Sequence, residues 1–484
     1  MEIALYVCLA ALGILVLALV VKTLLMKKKL PGTPPAVSWT PEEENAYAET
    51  LSALVKLPTV SRKQGESWED FAVYHEKIAA LFPLIDKTAE NHDRDGNILR
   101  RIPGADPKRG ALLLMGHQDV VPAEGQTGWT KDPFSGEIED GAVWGRGSMD
   151  CKGTFCAEWL AVEELLREGF VFKEDLWLFS SRNEENGGGG AELVVEYLKN
   201  KGVRLSMVLD EGGAVVGDQF PGLCVPISAV GLAEKGFVNL KFVARSAGGH
   251  SSTPPKNTPI VRLSQFVASV EKHPPFKKKL VSPVSDTFAA LSPYMNFPFR
   301  LLLGNLWLFG PLVKRVMPAV SPMAGAFLAT TAAFTQAGGS AAPNVLPDEA
   351  YVICNMRPAL HQGAKESIEL LKKRAARYDV DTEVLFCKEP SRLIRFDTDE
   401  AAFLSRCVSD CLPDTVVSPY LMTGGTDSRR FEPVCDNVFR FTPTRLTKSQ
   451  LAAMHAANEN LSTSALAEAA KTYKVIVTRW SGNA

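Results

Sequence analysis

Between residues 111 and 211 the chain repeats one unit: a short apolar run, then acidic or glycine-rich residues, then a helical stretch. Leu112-Leu113-Leu114-Met115 runs into His117-Gln-Asp119, Leu176 to Ser181 into Glu184-Glu185, and Met207 to Leu209 into Asp210-Glu211. Helical patterns fill 154–167 and 191–200 between them. Strand runs this short, spaced by helices, predict an α/β fold with a mostly parallel central sheet, because parallel neighbours require a crossover connection. In such sheets ligand sites open beyond the carboxyl ends of the strands.

What stands at those ends is acidic. His117 and Asp119 follow the first run, and a carboxylate two residues from an imidazole can fix the ring while the ring binds a metal. Trp144-Gly-Arg-Gly-Ser-Met-Asp150 is a glycine-bearing turn that lets backbone approach a site, and a carboxylate held there can bridge two cations. Glu184-Glu185 are adjacent carboxylates that point different ways, one suited to a metal and one to the water beside it. Successive ends thus bring His117, Asp150, Glu184, Glu185 and Asp210 to one edge of the sheet. Two metals sharing one carboxylate need a further nitrogen ligand, and His455 in Met454-His-Ala-Ala-Asn-Glu459 is the leading candidate.

The rest of the chain falls into segments. Residues 1–30 hold an apolar stretch from Ile3, broken only by Lys22, and then Lys27, Lys28 and Lys29. Glu2 precedes the stretch and the lysines follow it, which suits an uncleaved membrane-spanning helix with the lysine flank and the remaining body on the cytoplasmic side. Pro31-Gly-Thr-Pro-Pro35 opens a stiff linker, 31–39, and Thr40-Pro-Glu-Glu caps a helix reaching about Val55.

From residue 233 the pattern changes. Gly236 to Ala244 and Ala350 to Arg357 alternate as half-exposed strands, 365–378 reads as a helix and 381–387 as another strand. The expectation is an inserted α+β lid or dimerisation domain at 233–391, splitting a catalytic domain into 40–232 and 392–484. Inside the insert, 297–320 is unusually apolar and carries Lys314-Arg315, with Lys277-Lys278-Lys279 upstream. Membrane contact, an acyl pocket and subunit packing are all open to it.

A formal charge of −2 leaves no global basic surface, so nucleic acid is not an expected partner. The cysteines are nine, scattered and without C-x-x-C spacing, which argues against a disulfide framework or a thiolate metal site.

Taken together, His117-x-Asp119-Val-Val-Pro, Gly145-Arg-Gly-x-x-Asp150-x-Lys-Gly, Asn183-Glu-Glu-x-Gly-Gly188, Asp210-Glu-Gly, Gly248-Gly-His250-Ser-Ser-x-Pro-Pro, Asn344-Val-Leu-Pro, Gly424-Gly-Thr-Asp-Ser-Arg429 and His455-x-x-Asn-Glu459 resemble the motif series of the dinuclear zinc peptidases. That family includes aminoacylase, succinyl-diaminopimelate desuccinylase and carboxypeptidase S. The apolar segments at the N-terminus and before Thr330 are most similar to the carboxypeptidase S and N-fatty-acyl-amino-acid hydrolase branch.

The resemblance implies two Zn²⁺ per subunit, with Co²⁺ or Mn²⁺ as substitutes. Asp150 bridges them, His117 and Asp210 complete one site, and Glu185 and His455 complete the other. Asp119 orients His117, and Glu184 is the general base. His250 reaches the active site of a partner subunit, which implies a homodimer, and Asn344, Arg357 and Arg429 hold a substrate carboxylate. Arg430 stands where related sequences often carry an aromatic residue or histidine, so altered substrate contacts are expected there. The implied activity is hydrolysis of N-acyl amino acids or short peptides with a free C-terminal carboxylate. An aminopeptidase or dipeptidase of the same fold, and an inactive membrane-tethered binding protein, are the alternatives.

Overall fold

The computed structural model describes all residues except 1, 63–66, 218–219, 321 and 483–484. Its central sheet runs in the order Glu90–Asn91, Ile98–Ile102, Leu176–Ser180, Ala111–Met115, Leu205–Asp210, Val438–Arg440, Ile227–Glu234, Val215–Val216, Arg445–Leu446, with Val416–Met422 also paired to Ile227–Glu234. The four strands from Leu176–Ser180 to Val438–Arg440 are mutually parallel. Antiparallel pairings flank them, at Ile98–Ile102 on one side and at Ile227–Glu234 on the other, so the sheet is mixed. The short flanking strands lack helical crossovers and so carry no signal of direction in the sequence.

Ala111–Met115 and Leu176–Ser180 are buried at every position, which explains their unbroken apolar character. Against the sheet lie Lys152–Arg167 and the C-terminal helix Thr463–Ser481, which pack on each other and on Pro41–Val55. The last of these starts as its sequence dictates: Thr40 and Glu43 form a reciprocal capping box, with Pro41 at the first helical position.

A separate antiparallel sheet, ordered Thr331–Gly338, Glu349–Arg357, Phe237–Arg245, Asp381–Lys388, carries Pro259–Lys272 and Gly363–Ala376 over a core of its own. The chain leaves the central sheet after Glu234 and rejoins it where Ser391 and Ile394 donate backbone N–H groups to Glu234 and Leu232. The apolar segment before Thr330 does not enter the core of this second sheet. Its helices Val284–Leu291, Phe297–Leu303, Leu306–Val320 and Pro322–Leu328 instead cover Ile227, Val416 and Leu421 of the central sheet.

Among the described residues, Glu2–Leu25 is the one helix long and apolar enough to cross a membrane. It stands clear of the body except at its last turns, where Leu19 and Thr23 are buried. The following segment is docked rather than free: Lys28 donates to Pro293 O and Ala36 to Asp410 O.

Candidate metal centre and active site

His117 lies two residues past the end of Ala111–Met115, and Gly116 brings it there. A β-carbon on Gly116 would sit 3.1 Å from both Cys151 Sγ and Phe155 N. The ring Nδ1 donates to the backbone O of Asp119 at 2.8 Å, with the Asp119 carboxylate 3.5 Å away. That fixes the tautomer and leaves Nε2 facing the site, 3.1 Å from Asp150 Oδ1. Asp119 also holds the acidic pair, since its two oxygens accept the backbone N–H groups of Glu184 and Glu185 at 3.2 and 3.1 Å. Asp119 therefore sets the histidine through its backbone O and the two glutamates through its buried carboxylate.

Asp150 is the hub. While Oδ1 faces His117, Oδ2 lies 2.9 Å from His455 Nε2, which is also 3.1 Å from Glu185 Oε2. The loop that presents Asp150 is held by Glu459, whose Oε1 accepts from Gly147, Met149 and Asp150, each at 3.0 Å, and whose Oε2 pairs with Arg146. Gly147 adopts φ +83°, and a β-carbon there would strike Val120 at 2.5 Å. His455 is placed from the opposite end of the chain, in the left-handed region at φ 60°.

At the end of Leu205–Asp210 the structure departs from the expectation. The Asp210 carboxylate turns away and accepts the Ser428 N–H at 3.1 Å, whereas Glu211 Oε1 lies 3.6 Å from His117 Nε2. Strand alternation is the reason, since neighbours on a strand face opposite sides. The adjacency of two acidic residues was the available signal, and the parity of the strand end decided between them.

The electrostatics are those of a site short of positive charge. Burial pushes the carboxyls of Glu184, Glu185 and Glu211 above their usual range, with neighbouring carboxylates adding to the effect. Asp427, also buried beside them, is pushed up to about 7. Asp150 goes the other way, because its bonds to His117 and His455 outweigh burial. His455 is raised to about 10 by its bonds to Asp150 and Glu185. Glu185 Oε1 is buried without a hydrogen-bond partner. Separations of 2.9 to 3.6 Å between nitrogen and oxygen donors suit cations about 2 Å from each. The donor set therefore fits two cations, one between His117, Asp150 and Glu211 and one between His455, Asp150 and Glu185.

The cavity over this cluster has a volume of about 1070 Å³. Phe220, Phe237, Phe327, Tyr420 and Met422 supply apolar wall, and Arg357, Arg429, Arg430, Lys235 and Lys388 supply cationic groups. The Arg357 guanidinium stacks on Phe237 at 4.4 Å, while Arg429 is tied to Glu234 at 3.5 Å and to Glu389 O at 2.6 Å. Arg430 pairs with Glu192 at 2.7 Å. Lys235, which the sequence did not flag, is lowered to about 7 by burial and donates to the carbonyls of Ala326 and Ala329. His250 and Asn344 stand apart. They are exposed on the small ribbon formed by Gly249–His250 and Val345–Leu346 and do not line the cavity of their own chain.

Residues 113–479 match peptidase family M20/M25/M40. The chain belongs to that family. It is 32% identical over 434 residues to human N-fatty-acyl-amino acid synthase/hydrolase PM20D1, covering 88% of this chain and 86% of the relative. To the probable carboxypeptidase S-like 2 of Dictyostelium discoideum it is 31% identical over 484 residues, covering 96% and 90%. Among solved structures, the M20 family metallo-carboxypeptidase Sso-CP2 of Sulfolobus solfataricus superposes with a TM-score of 0.65 at 19% identity, covering 89% of this chain and 98% of that one. The M20 chain described here is thus a hydrolase of a metallopeptidase family, in the branch that its motifs resemble.

Proposed function

We propose that this M20 hydrolase is a two-zinc amidohydrolase that cleaves N-acyl amino acids bearing a free α-carboxylate. The observation that carries the reading is Asp150, whose two oxygens face two different histidines at 3.1 and 2.9 Å. Asp150 would be the shared ligand, with His117 and Glu211 holding one cation and His455 and Glu185 the other; Asp210 gives up the ligand role it was expected to hold. Bound Zn²⁺ supplies a lowered pKa for water and polarisation of the scissile carbonyl.

The chain's own residues do the rest. Glu184 lies in the cavity wall with its carboxyl pushed up by burial, suited to taking a proton from water and passing it to the departing amine. Asp119 holds Glu184 and His117 in mutual register. Arg357 and Arg429, both in the cavity wall, recognise the α-carboxylate, and the apolar wall receives the acyl chain. His250 and Asn344 act on the cavity of a second subunit. Support for a homodimer comes from the edge strand Asp381–Lys388, which leaves Val384, Leu385 and Phe386 roughly half exposed. Glu2–Leu25 anchors the enzyme by a single span, with the lysine flank and catalytic body on the cytoplasmic side.

The test is release of free amine from matched N-acetyl, N-long-chain-acyl and dipeptide substrates by the full-length, zinc-loaded enzyme. Preference for long acyl chains is the expected result. Preference for dipeptides would overturn the substrate class and leave the metal chemistry standing, whereas no turnover by metal-replete protein would overturn the reading itself.

A further inference from the structure

Helix Leu306–Val320 is apolar on both of its sides. One side packs: Val313 is buried, and Leu306, Phe309 and Met317 lie against the core that covers the catalytic sheet. The other side is open, with Trp307 67%, Leu312 50% and Val316 43% exposed, Leu308 next to them, and Met323 53% exposed on the following helix. An exposed apolar patch of this size, broken only by Arg315, marks a contact surface. Something covers this face.

The place of the patch says what. The 24 residues of Glu2–Leu25 make a rod of about 36 Å, enough for the hydrocarbon core of a bilayer. Its final turns dock directly before Leu306. Asn305 Nδ2 donates to Thr23 Oγ1 at 3.3 Å, and Lys22 Nζ donates to Gly304 O at 3.4 Å. Lys28 N–H donates to Pro293 O. The start of Leu306–Val320 is thereby fixed at the depth where the span ends, which is the headgroup boundary. Lys27, Lys28 and Lys29 supply the basic residues that such a boundary favours, Arg315 stands on the open face itself, where its long side chain can reach up to the headgroups, and tryptophan is the residue most at home there.

We infer that Leu306–Val320 is an in-plane platform seated in the membrane, its outward face of Trp307, Leu308, Leu312, Val316 and Met323 sunk into the boundary between headgroups and acyl chains. The inference rests on the proposal that Glu2–Leu25 spans the bilayer. Met323 also lines the catalytic cavity, next to Phe327, so the platform and the cavity share a wall. A substrate whose acyl chain partitions into lipid reaches the cavity from the bilayer side.

The experiment uses full-length protein in phosphatidylcholine–phosphatidylserine vesicles containing lipid brominated near the top of its acyl chains. Bromine quenches part of the tryptophan emission, and Trp307→Phe is expected to remove most of that quenched part. Equal quenching in the variant overturns the platform. A nitroxide on Leu312→Cys, in protein whose exposed Cys8, Cys224 and Cys387 are replaced by serine, gives an independent reading: accessibility to oxygen above that to a water-soluble nickel chelate is expected, and the reverse order, or disulfide capture of a second copy through Cys at 312, overturns the inference. Alkaline carbonate extraction of the same vesicles separates the two readings. Release into the supernatant refutes the span whatever Trp307 reports, while retention without Trp307 quenching refutes the platform alone.

Discussion

Glu459 accepts the backbone N–H of Asp150 at 3.0 Å, across 309 residues of sequence. The same oxygen takes the N–H groups of Gly147 and Met149, so one buried carboxylate organises the loop that presents the central acidic ligand. Its charge is balanced by Arg146, also buried. A group that aims a ligand without touching the cation acts on affinity. Glu459→Gln is expected to weaken metal binding roughly 10- to 100-fold, because an amide oxygen is a poorer acceptor for three N–H groups and its NH₂ faces Arg146. Competition with a chelator of known affinity measures this, and unchanged affinity would remove Glu459 from the account.

The neighbours Asp210 and Glu211 give a discriminating pair. Glu211→Gln is expected to lower bound metal from two toward one per chain, since Glu211 Oε1 faces His117. Asp210→Asn removes a charge but keeps an oxygen for the Ser428 N–H, so both metals are expected to stay, with stability reduced by about 1 kcal/mol. Metal analysis by mass spectrometry, together with a thermal melt of each variant, decides the matter; the opposite pattern would restore Asp210 as the ligand.

These two residues also mark how far sequence carries. Apolar run, acidic break and helix are local signals, so the parallel centre of the sheet and the cluster at its edge were legible, down to His117, Asp150 and Glu185. Which of two adjacent carboxylates turns inward depends on the pleat at the last residue of a strand, and a one-residue uncertainty in the strand end reverses it. Sheet order at the flanks was illegible for a different reason: Val438–Arg440 lies beside Leu205–Asp210 although more than 200 residues of chain intervene, and short strands carry no record of such partners. Lys235 escaped notice because a lysine at a strand end looks like solvent-facing charge until its carbonyl partners are seen.

Glu184→Gln is expected to retain both metals and the fold while turnover falls by about 10² to 10⁴. The substitution keeps shape and the backbone N–H bond to Asp119, and removes only the capacity to take a proton. Parallel metal analysis and steady-state rates with a saturating N-acyl amino acid test it. A rate within a few-fold of wild type would rule out Glu184 as the base.

In the homodimer proposed above, the placing of His250 outside its own cavity predicts complementation between subunits. His250→Ala and Glu184→Gln homodimers should each be nearly inactive. Mixed dimers join an intact Glu184 in one subunit to an intact His250 in the other, so one whole site per mixed dimer results. Random assortment makes half of the dimers mixed, and recovery of roughly a quarter of wild-type activity is expected on co-expression. No recovery, with mixed dimers verified by differential tags, would place the action of His250 within a single chain or remove it.

Removal of metal should change how stability depends on pH. In the metal-free fold, Glu184, Glu185 and Glu211 have pKa values raised above their ordinary value, chiefly by burial, and His455 is raised to about 10 by its bonds to Asp150 and Glu185. Each of these groups holds its proton more tightly when folded than when unfolded. Stability therefore falls as pH rises above the unfolded carboxyl value of about 4.3, and for His455 between about 6.5 and its folded value. Asp150 has the opposite sign, but its contribution is lost only as pH falls below the ordinary carboxylate range, outside that window. Bound cations replace those protons and cancel the slope. Chelator-treated enzyme is accordingly expected to lose thermal stability from pH 6 to pH 9 while the zinc-loaded enzyme does not, so the gap between their melting temperatures widens with pH. Melts at both pH values, with and without chelator, test this; a constant gap would mean that the carboxylate cluster is already charge-compensated by the protein and does not require cations.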